Sequence, residues 1–278
     1  MAPSARADST GGLLRRVVSA LVLAPPVAAS VYFGSPYFEL VLALAAVQMA
    51  REWARLCCGS APGRIGMTVV MGLAGVASLV VARSFGIVAG IAGALVAAIL
   101  VYGAGRRSQA ALPGWLAAGT LALAIPCVSF LWIRFDALAG RDLTLWLLAA
   151  VWATDIGAYA AGRTIGGPKL WPQVSPRKTW AGLLGGMASA ALVSVLAAWW
   201  LEQGNIWLAQ AAGILLAGVA QLGDLAESAL KRHFGVKDSG RLIPGHGGLL
   251  DRVDGLIATA PAVAVLTWLF GASLIAWR

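Results

Sequence analysis

The sequence predicts an all-α integral membrane protein with about nine transmembrane helices and a cytoplasmic N-terminus. Hydrophobic residues make up 59% of the 278-residue chain and charged residues only 12%, and the mean hydropathy is +0.80. A soluble domain carries roughly a quarter charged residues, so this composition indicates a polytopic membrane protein. The apolar residues also gather into runs, and the basic residues fall between those runs in a regular alternation.

Nine apolar runs follow one another along the chain. They cover about residues 17–33, 37–57, 65–82, 85–103, 115–135, 143–163, 180–201, 206–230 and 253–275. Most are close to the roughly 20 residues that a helix needs to cross a bilayer. Only Arg83 and Ser84 separate the third run from the fourth. The chain has 34 glycines, many of them within these runs, where they permit neighbouring membrane helices to approach closely.

The basic residues predict the orientation. With the N-terminus in the cytoplasm, 17 of the 21 Lys and Arg residues fall in cytoplasmic segments, as the positive-inside rule expects. The four on the other side are Arg83, Arg134, Arg141 and Arg278. The first run also has features of a cleaved signal peptide, but its removal would reverse the predicted side, so we favour the uncleaved helix. Because the net charge of +9 is dispersed among short loops, we expect no nucleic-acid partner.

The polar residues divide the chain into two regions. We expect residues 1–140 to form N-terminal transmembrane helices that act as a scaffold, and we infer no functional residue there. Glu39 and Glu52 are expected to be solvated or paired with Arg51 or Arg55. Residues 141–278 hold a catalytic transmembrane region with cytoplasmic loops at 164–179 and 231–252.

The densest group of polar residues lies between Gln221 and Gly255. If the first part is helical, four side chains share one stripe: Asp224, Glu227, Ser228 and Lys231. A Gly-rich basic loop follows, and Asp251 and Asp254 come after it, at the start of the last apolar run. Carboxylates at bilayer depth are costly and usually face a cavity, a metal or a partner. This arrangement predicts a site for a divalent cation together with a phosphate.

A second polar group spans residues 153–182. Asp155 is an intramembrane carboxylate in the sixth run, and a loop rich in Gly, Lys and Arg follows it. Such a loop presents backbone N–H groups and cations that suit a polyphosphate, but it is equally typical of an ordinary positive-inside loop.

The motifs in both groups resemble those of the phosphatidate cytidylyltransferases, also called CDP-diacylglycerol synthases. The downstream motifs are Ser228-x-x-Lys231-Arg232, Lys237-Asp238 and Pro244-x-His246-Gly247-Gly248-x-x-Asp251-Arg252-x-Asp254. The upstream motifs are Thr154-Asp155, Lys169-Leu170-x-Pro172 and Ser175-Pro176-x-Lys178-Thr179. The resemblance covers about residues 150–260. The chain departs from it at Ala181, where family members often carry Glu.

The resemblance implies transfer of the cytidylyl group of CTP to phosphatidic acid, giving CDP-diacylglycerol and pyrophosphate. It implies an Mg²⁺ cofactor, with a second, monovalent cation such as K⁺ left open. The metal ligands that we expect are Asp224, Asp251 and Asp254, followed by Glu227 and Asp155. The expected catalytic residues are Asp224, Lys231, Asp251, Asp254 and His246. The expected substrate-binding residues are Lys169, Ser175, Lys178, Thr179, Ser228, Arg232, Lys237, Asp238, Gly247, Gly248 and Arg252.

Further expectations concern roles, place and partners. We expect Lys231 to serve the chemical step, and Lys178, on a flexible loop, to hold a ground-state phosphate. The resemblance places the chain in a bacterial-type inner membrane with its active site facing the cytoplasm, and a homodimer is left open. Two alternatives also stay open: a cation-coupled secondary transporter, and a CTP-dependent lipid kinase.

Overall fold

The chain folds into a bundle of long helices with one small hairpin. The computed structural model describes residues 24–59, 61, 63–137, 139–202, 205–240 and 247–270. Helix α1 comprises the helical residues 24–33. The other helices are α2 (Tyr37–Cys58), α3 (Arg64–Phe85), α4 (Ile87–Arg107), α5 (Pro113–Phe135), α6 (Gly140–Thr164), α7 (Trp180–Trp200), α8 (Ile206–His233) and α9 (Leu250–Phe270). The prediction of an all-α chain is confirmed.

Seven of the described helices, α3 to α9, are long and apolar enough to cross a membrane. Helix α2 is not among them, and it carries four charged side chains: Glu39, Arg51, Glu52 and Arg55. Residues 17–23 of the first predicted span lie outside the described residues, as do residues 271–275 of the last one. Large apolar side chains such as Leu44, Leu73 and Ile99 are exposed on the outside of the bundle, as a lipid-facing surface requires.

The helix bounds agree with the apolar runs except at two places. The third and fourth helices meet at Gly86 rather than at Arg83 and Ser84. Gly86 has a φ of 86°, a conformation that glycine adopts without a steric penalty, so the chain can turn there in a single residue. Helix α8 continues to His233, and its 28 residues carry the whole stripe from Asp224 to Lys231 on one continuous element.

Glycines bring the helices of the second half close together, as the sequence predicts. A Cβ on Gly185 of α7 would lie 2.9 Å from the carbonyl oxygen of Gly157 on α6. A Cβ on Gly213 of α8 would lie 2.6 Å from the carbonyl oxygen of Ala190 on α7. These positions leave no room for a side chain, so α6, α7 and α8 pack backbone against backbone.

The two halves of the chain meet through α5 and α9, which pack against each other. A second connection runs through Trp53 of α2, whose indole N–H donates to the carbonyl oxygen of Trp115 at 2.8 Å. The ring of Trp115 in turn stacks near His233 at the end of α8, with ring centroids 5.0 Å apart. The end of α2 therefore lies beside the end of α8, where the polar residues of the second half begin.

Candidate active site

Three carboxylates from two helices meet at one point. Asp224 and Glu227 lie one turn apart on α8, and Asp254 lies on the first part of α9. Their carboxylate oxygens lie within 4.8 Å of one another, and all three residues are half-buried. Gly223 makes this possible, because a Cβ there would lie 2.7 Å from the carbonyl oxygen of Asp254. We call Asp224, Glu227 and Asp254 the acidic cluster.

Two lysines border the acidic cluster. Lys178 Nζ lies 2.6 Å from Asp224 Oδ2. Lys231 forms an ion pair with Glu227, one helical turn away, and its Nζ donates to Asp251 Oδ1 at 2.7 Å. Both lysine side chains are mostly covered, with 15% and 13% of their surface exposed. The cluster thus offers anionic oxygens with cations at its edge, an arrangement suited to a metal ion and the phosphates bound to it.

Lys178 reaches the cluster because the predicted loop 164–179 contains a hairpin. Strand β1 (Lys169–Trp171) pairs antiparallel with β2 (Ser175–Thr179), and Lys169 lies opposite Thr179. Lys178 therefore lies on a paired strand that borders the acidic cluster rather than on an irregular loop, while its expected role of holding a ground-state phosphate stays a prediction. The strand pairing orders the backbone, and α8 supplies a carboxylate partner for the side chain.

Thr179 is a buried residue that caps a helix. It is the N-cap of α7, and its hydroxyl accepts a hydrogen bond from the backbone N–H of Gly182 at 3.0 Å. Its side chain is buried, with 4% of the residue exposed, and a Cβ on Gly162 of α6 would lie 3.1 Å from its hydroxyl. The Thr179 hydroxyl therefore caps the start of α7, and its expected substrate contact stays a prediction.

Asp251 lies beside the acidic cluster, close enough to Glu227 to interact with it, although among the described residues the group of three carboxylates does not include it. Its Oδ1 accepts from Lys231, and its Oδ2 accepts from the backbone N–H groups of Ser239 at 2.9 Å and Gly248 at 2.7 Å. The hydroxyl of Ser239 lies 3.0 Å from the same oxygen. With both oxygens engaged, Asp251 holds Lys231 and the start of α9, and its expected role as a metal ligand stays a prediction.

Glu52 of α2 is a residue that the sequence reasoning missed. The expectation that it is solvated or paired with a neighbouring arginine is wrong, because only 3% of the residue is exposed. Its Oε1 accepts from Leu249 N and its Oε2 from Leu250 N, at 2.8 and 2.9 Å. These partners lie 197 and 198 residues away along the chain, so the sequence around Glu52 gives no indication of them. Helical periodicity provides one indication in the sequence, because Glu52 lies beside the buried face of α2 that contains Met49.

Asp155 lies on α6 at the edge of the site. It is exposed, and it lies close enough to Asp224, Lys178 and Arg252 to interact with them electrostatically. Among the described residues, Asp155 is not one of the three carboxylates that form the acidic cluster. Asp155 is therefore brought to the site but not into the group of three carboxylates.

The remaining predicted residues lie on α8, on α9, on the hairpin and on the loop between the two helices. Ser228 Oγ lies 3.4 Å from Asp224 Oδ1, one turn away on α8. The exposed residues are Lys169, Arg232, Lys237, Asp238 and Arg252, and Ser175 is half-buried. His246 lies outside the described residues. Gly247 has a φ of 83°, and a Cβ on Gly248 would fall onto Glu52 and Ser239, so these two glycines let the loop approach its carboxylate partners.

Comparison with known proteins agrees with the geometry. The model of the cytidylyltransferase family matches residues 14–270. A phosphatidate cytidylyltransferase of Brucella suis biovar 1 (strain 1330) is 49% identical over 159 residues, which are 57% of this chain and 57% of that protein. Proteins of the same name from Staphylococcus haemolyticus and Staphylococcus aureus are 43% identical over 140 and 128 residues, covering 50% and 46% of this chain and 54% and 49% of theirs.

The matched segments thus span about half the length of these relatives. The family model extends over nearly the whole chain, including the helices in which sequence motifs were not apparent. The chain belongs to the cytidylyltransferase family.

Proposed function

We propose that this protein transfers the cytidylyl group of CTP to phosphatidic acid, giving CDP-diacylglycerol and pyrophosphate. The observation that carries the proposal is the acidic cluster bordered by Lys178 and Lys231 at the end of a membrane-spanning bundle. Membership of the cytidylyltransferase family and the names of the relatives support the same reaction. A site at the end of the bundle suits one soluble and one lipid substrate.

The reaction joins two anions. An oxygen of the phosphatidate phosphate attacks the α-phosphorus of CTP, and the bond from that phosphorus to the bridging oxygen of the β-phosphate breaks, so pyrophosphate leaves. The phosphate is already ionised near neutral pH, so no strong general base is required. The main obstacle is charge repulsion, and Lys178 and Lys231 are placed to reduce it.

The acidic cluster fits a magnesium ion. Glu227 is half-buried, and among the described residues its carboxylate forms an ion pair with Lys231 while it faces Asp224 and Asp254. Asp224, Glu227 and Asp254 would hold the ion, with Asp155 nearby, and their hard oxygen ligands are the type that Mg²⁺ prefers. When bound, the ion would neutralise phosphate charge and orient the substrates. A monovalent second cation remains a prediction.

The decisive experiment uses the purified full chain in detergent with CTP, phosphatidic acid and Mg²⁺. Mass spectrometry of the lipid and assay of the released nucleotide or pyrophosphate identify the products. CDP-diacylglycerol with pyrophosphate supports the proposal. A phosphorylated lipid with CDP would support the lipid-kinase alternative, and the absence of either product would leave the transporter as the better account.

We also propose the finer topology: nine spans, the N-terminus inside, and the active site facing the cytoplasm of a bacterial inner membrane. In support, three basic residues assigned to the opposite side lie at one end of the bundle. Arg83 pairs with Glu39 at 3.5 Å and lies over the ring of Phe135, as does Arg134. The third, Arg141, lies over Tyr32.

A reporter active only in the periplasm tests this topology. It should give signal when fused after Arg278 and none when inserted in residues 164–179, and the reverse pattern would contradict the proposed orientation. The homodimer is a separate proposal, which cross-linking in native membranes tests.

A further inference from the structure

A buried carboxylate of the first half of the chain holds the loop that leads into α9. Glu52 belongs to α2, in the region expected to be only a scaffold, and among the described residues it has four hydrogen-bond partners, three of them in the second half of the chain: Ser239, Leu249 and Leu250. Its Oε1 accepts from Leu249 N and from Gln48 Nε2, at 2.8 Å each. Its Oε2 accepts from Leu250 N at 2.9 Å and lies 3.2 Å from Ser239 Oγ.

Glu52 and Asp251 together satisfy the start of α9. The first backbone N–H groups of a helix have no partner within the helix, and the helix dipole places positive charge there. Glu52 accepts from Leu249 and Leu250, and Asp251 accepts from Gly248. We call Glu52, Ser239 and Asp251 the α9 cap. The four hydrogen bonds and the helix N-terminus explain how a carboxylate that is 3% exposed can be accommodated.

Ser239 connects the two carboxylates of the cap. Its hydroxyl lies 3.2 Å from Glu52 Oε2 and 3.0 Å from Asp251 Oδ2, and a single O–H proton can serve either of them. Gly240 and Gly248 lie against the same group, since a Cβ on Gly240 would be 3.0 Å from Glu52 Cδ. The cap is therefore a compact group in which Glu52 sets the position of the loop backbone.

We infer that Glu52 is a positioning residue for the cytidylyl transfer: through the α9 cap it fixes Asp251, and through Asp251 it fixes Lys231 at the acidic cluster. The path is continuous, because Asp251 Oδ1 accepts from Lys231 Nζ at 2.7 Å and Lys231 pairs with Glu227. The inference rests on the proposed function for its kinetic part only.

Glu52→Gln tests the inference directly. Each oxygen of Glu52 accepts from a backbone N–H, so either orientation of a glutamine amide would turn its NH₂ group against an N–H donor. Glu39→Gln is the matched control. It removes the same charge from the same helix, but Glu39 pairs with Arg83 at the other end of the bundle.

The experiment combines steady-state kinetics with hydrogen exchange measured by mass spectrometry on full-length protein in detergent. For Glu52→Gln we expect kcat to fall about 10- to 100-fold, as for residues that orient a reactive group, with the Mg²⁺ concentration for half-activity unchanged. Exchange should rise in the peptide covering 247–252 and stay unchanged in α5. Glu39→Gln should match the wild type in both measurements.

Three results would overturn the inference. One is a Glu52→Gln protein that behaves like Glu39→Gln, and another is local exchange without loss of kcat. The third is increased exchange throughout the bundle, which would make Glu52 a residue of general stability. If Glu52→Gln does not fold, Ser239→Ala, which leaves the charge in place, should show a smaller change of the same local kind. If the wild type makes no CDP-diacylglycerol, the proposed function fails, while the exchange comparison still decides whether Glu52 orders the start of α9.

Discussion

The acidic cluster and the α9 cap both place carboxylates at the same end of the bundle, but they differ in what surrounds the oxygens. In the cap, Glu52 and Asp251 accept from backbone N–H groups and from Ser239. In the cluster, Asp224, Glu227 and Asp254 face one another within 4.8 Å.

That difference separates two uses of a charged group. A carboxylate whose oxygens are all engaged by donors has little capacity left for a ligand, and it stabilises the backbone that it contacts. Carboxylates that face one another repel, and they are retained where a cation or positively charged partner compensates them. We therefore propose metal binding for the cluster and positioning for the cap, although the sequence motif places Asp251 and Asp254 only three residues apart.

The largest effect is expected in the acidic cluster. Asp254→Asn and Asp224→Asn keep the size of the side chain but remove a charged metal ligand, which is worth several kcal/mol in charge stabilisation. We expect kcat to fall about 100-fold or more and the Mg²⁺ requirement to rise. Asp142→Asn is the control, because Asp142 pairs with Arg141 on the far part of α6. Near-normal activity of either cluster variant with unchanged Mg²⁺ dependence would remove the metal assignment.

Asp251→Asn tests the other side of the comparison. The carboxamide has one acceptor oxygen, so it cannot accept from Lys231 with one oxygen and from Ser239 and Gly248 with the other. Lys231 should therefore lose its fixed position. We expect kcat to fall about 10- to 100-fold while the Mg²⁺ titration keeps its wild-type midpoint. A shift of that midpoint as large as for Asp254→Asn would break the comparison and return Asp251 to the metal ligands, as the sequence alone predicts.

The two lysines sharpen the comparison further. Lys178 contacts Asp224 directly, so we expect Lys178→Ala to lower kcat about tenfold, as loss of one charge-assisted contact would. Lys231→Ala should also act on kcat. Arg177→Ala is the matched control, because neighbouring residues of a strand point to opposite faces and Arg177 is exposed. If Lys178→Ala instead raises only the KM for CTP or for phosphatidate, the division of labour expected from the sequence is restored.

Much of the fold could be read from the sequence because membrane helices depend on local properties. A continuous apolar run must be helical at bilayer depth, and the stripe from Asp224 to Lys231 follows from helical periodicity alone. The hairpin was missed because Lys169–Trp171 and Ser175–Thr179 are short and the second strand contains Pro176. The contact of Lys178 with Asp224 depends on that hairpin, so its position could not be anticipated.

The α9 cap could not be predicted for a different reason. Its hydrogen bonds join Glu52 to residues 187 to 198 positions away, and periodicity carries no information over such distances. Asp251 and Asp254 look equivalent in the sequence, and only the loop geometry around Ser239 and Gly248 separates them. The motifs identified the candidate site residues of the second half, but they do not show which of these residues position the others.

The smallest effect is expected from a residue that supports the cap without forming part of it. Gln48 donates to Glu52 Oε1 at 2.8 Å from the preceding turn of α2. Because three other donors remain and Gln48 is only half-buried, Gln48→Ala should lower the free energy of unfolding by about 1 kcal/mol, with a small effect on kcat. Gln48→Glu should be more damaging, since it sets a second carboxylate against Glu52. Thermal unfolding in detergent, with kinetics on the same samples, measures both. If the two variants are equally stable, the charge of Glu52 does not contribute to the cap. The distinction between the α9 cap and the acidic cluster would then lose its physical basis.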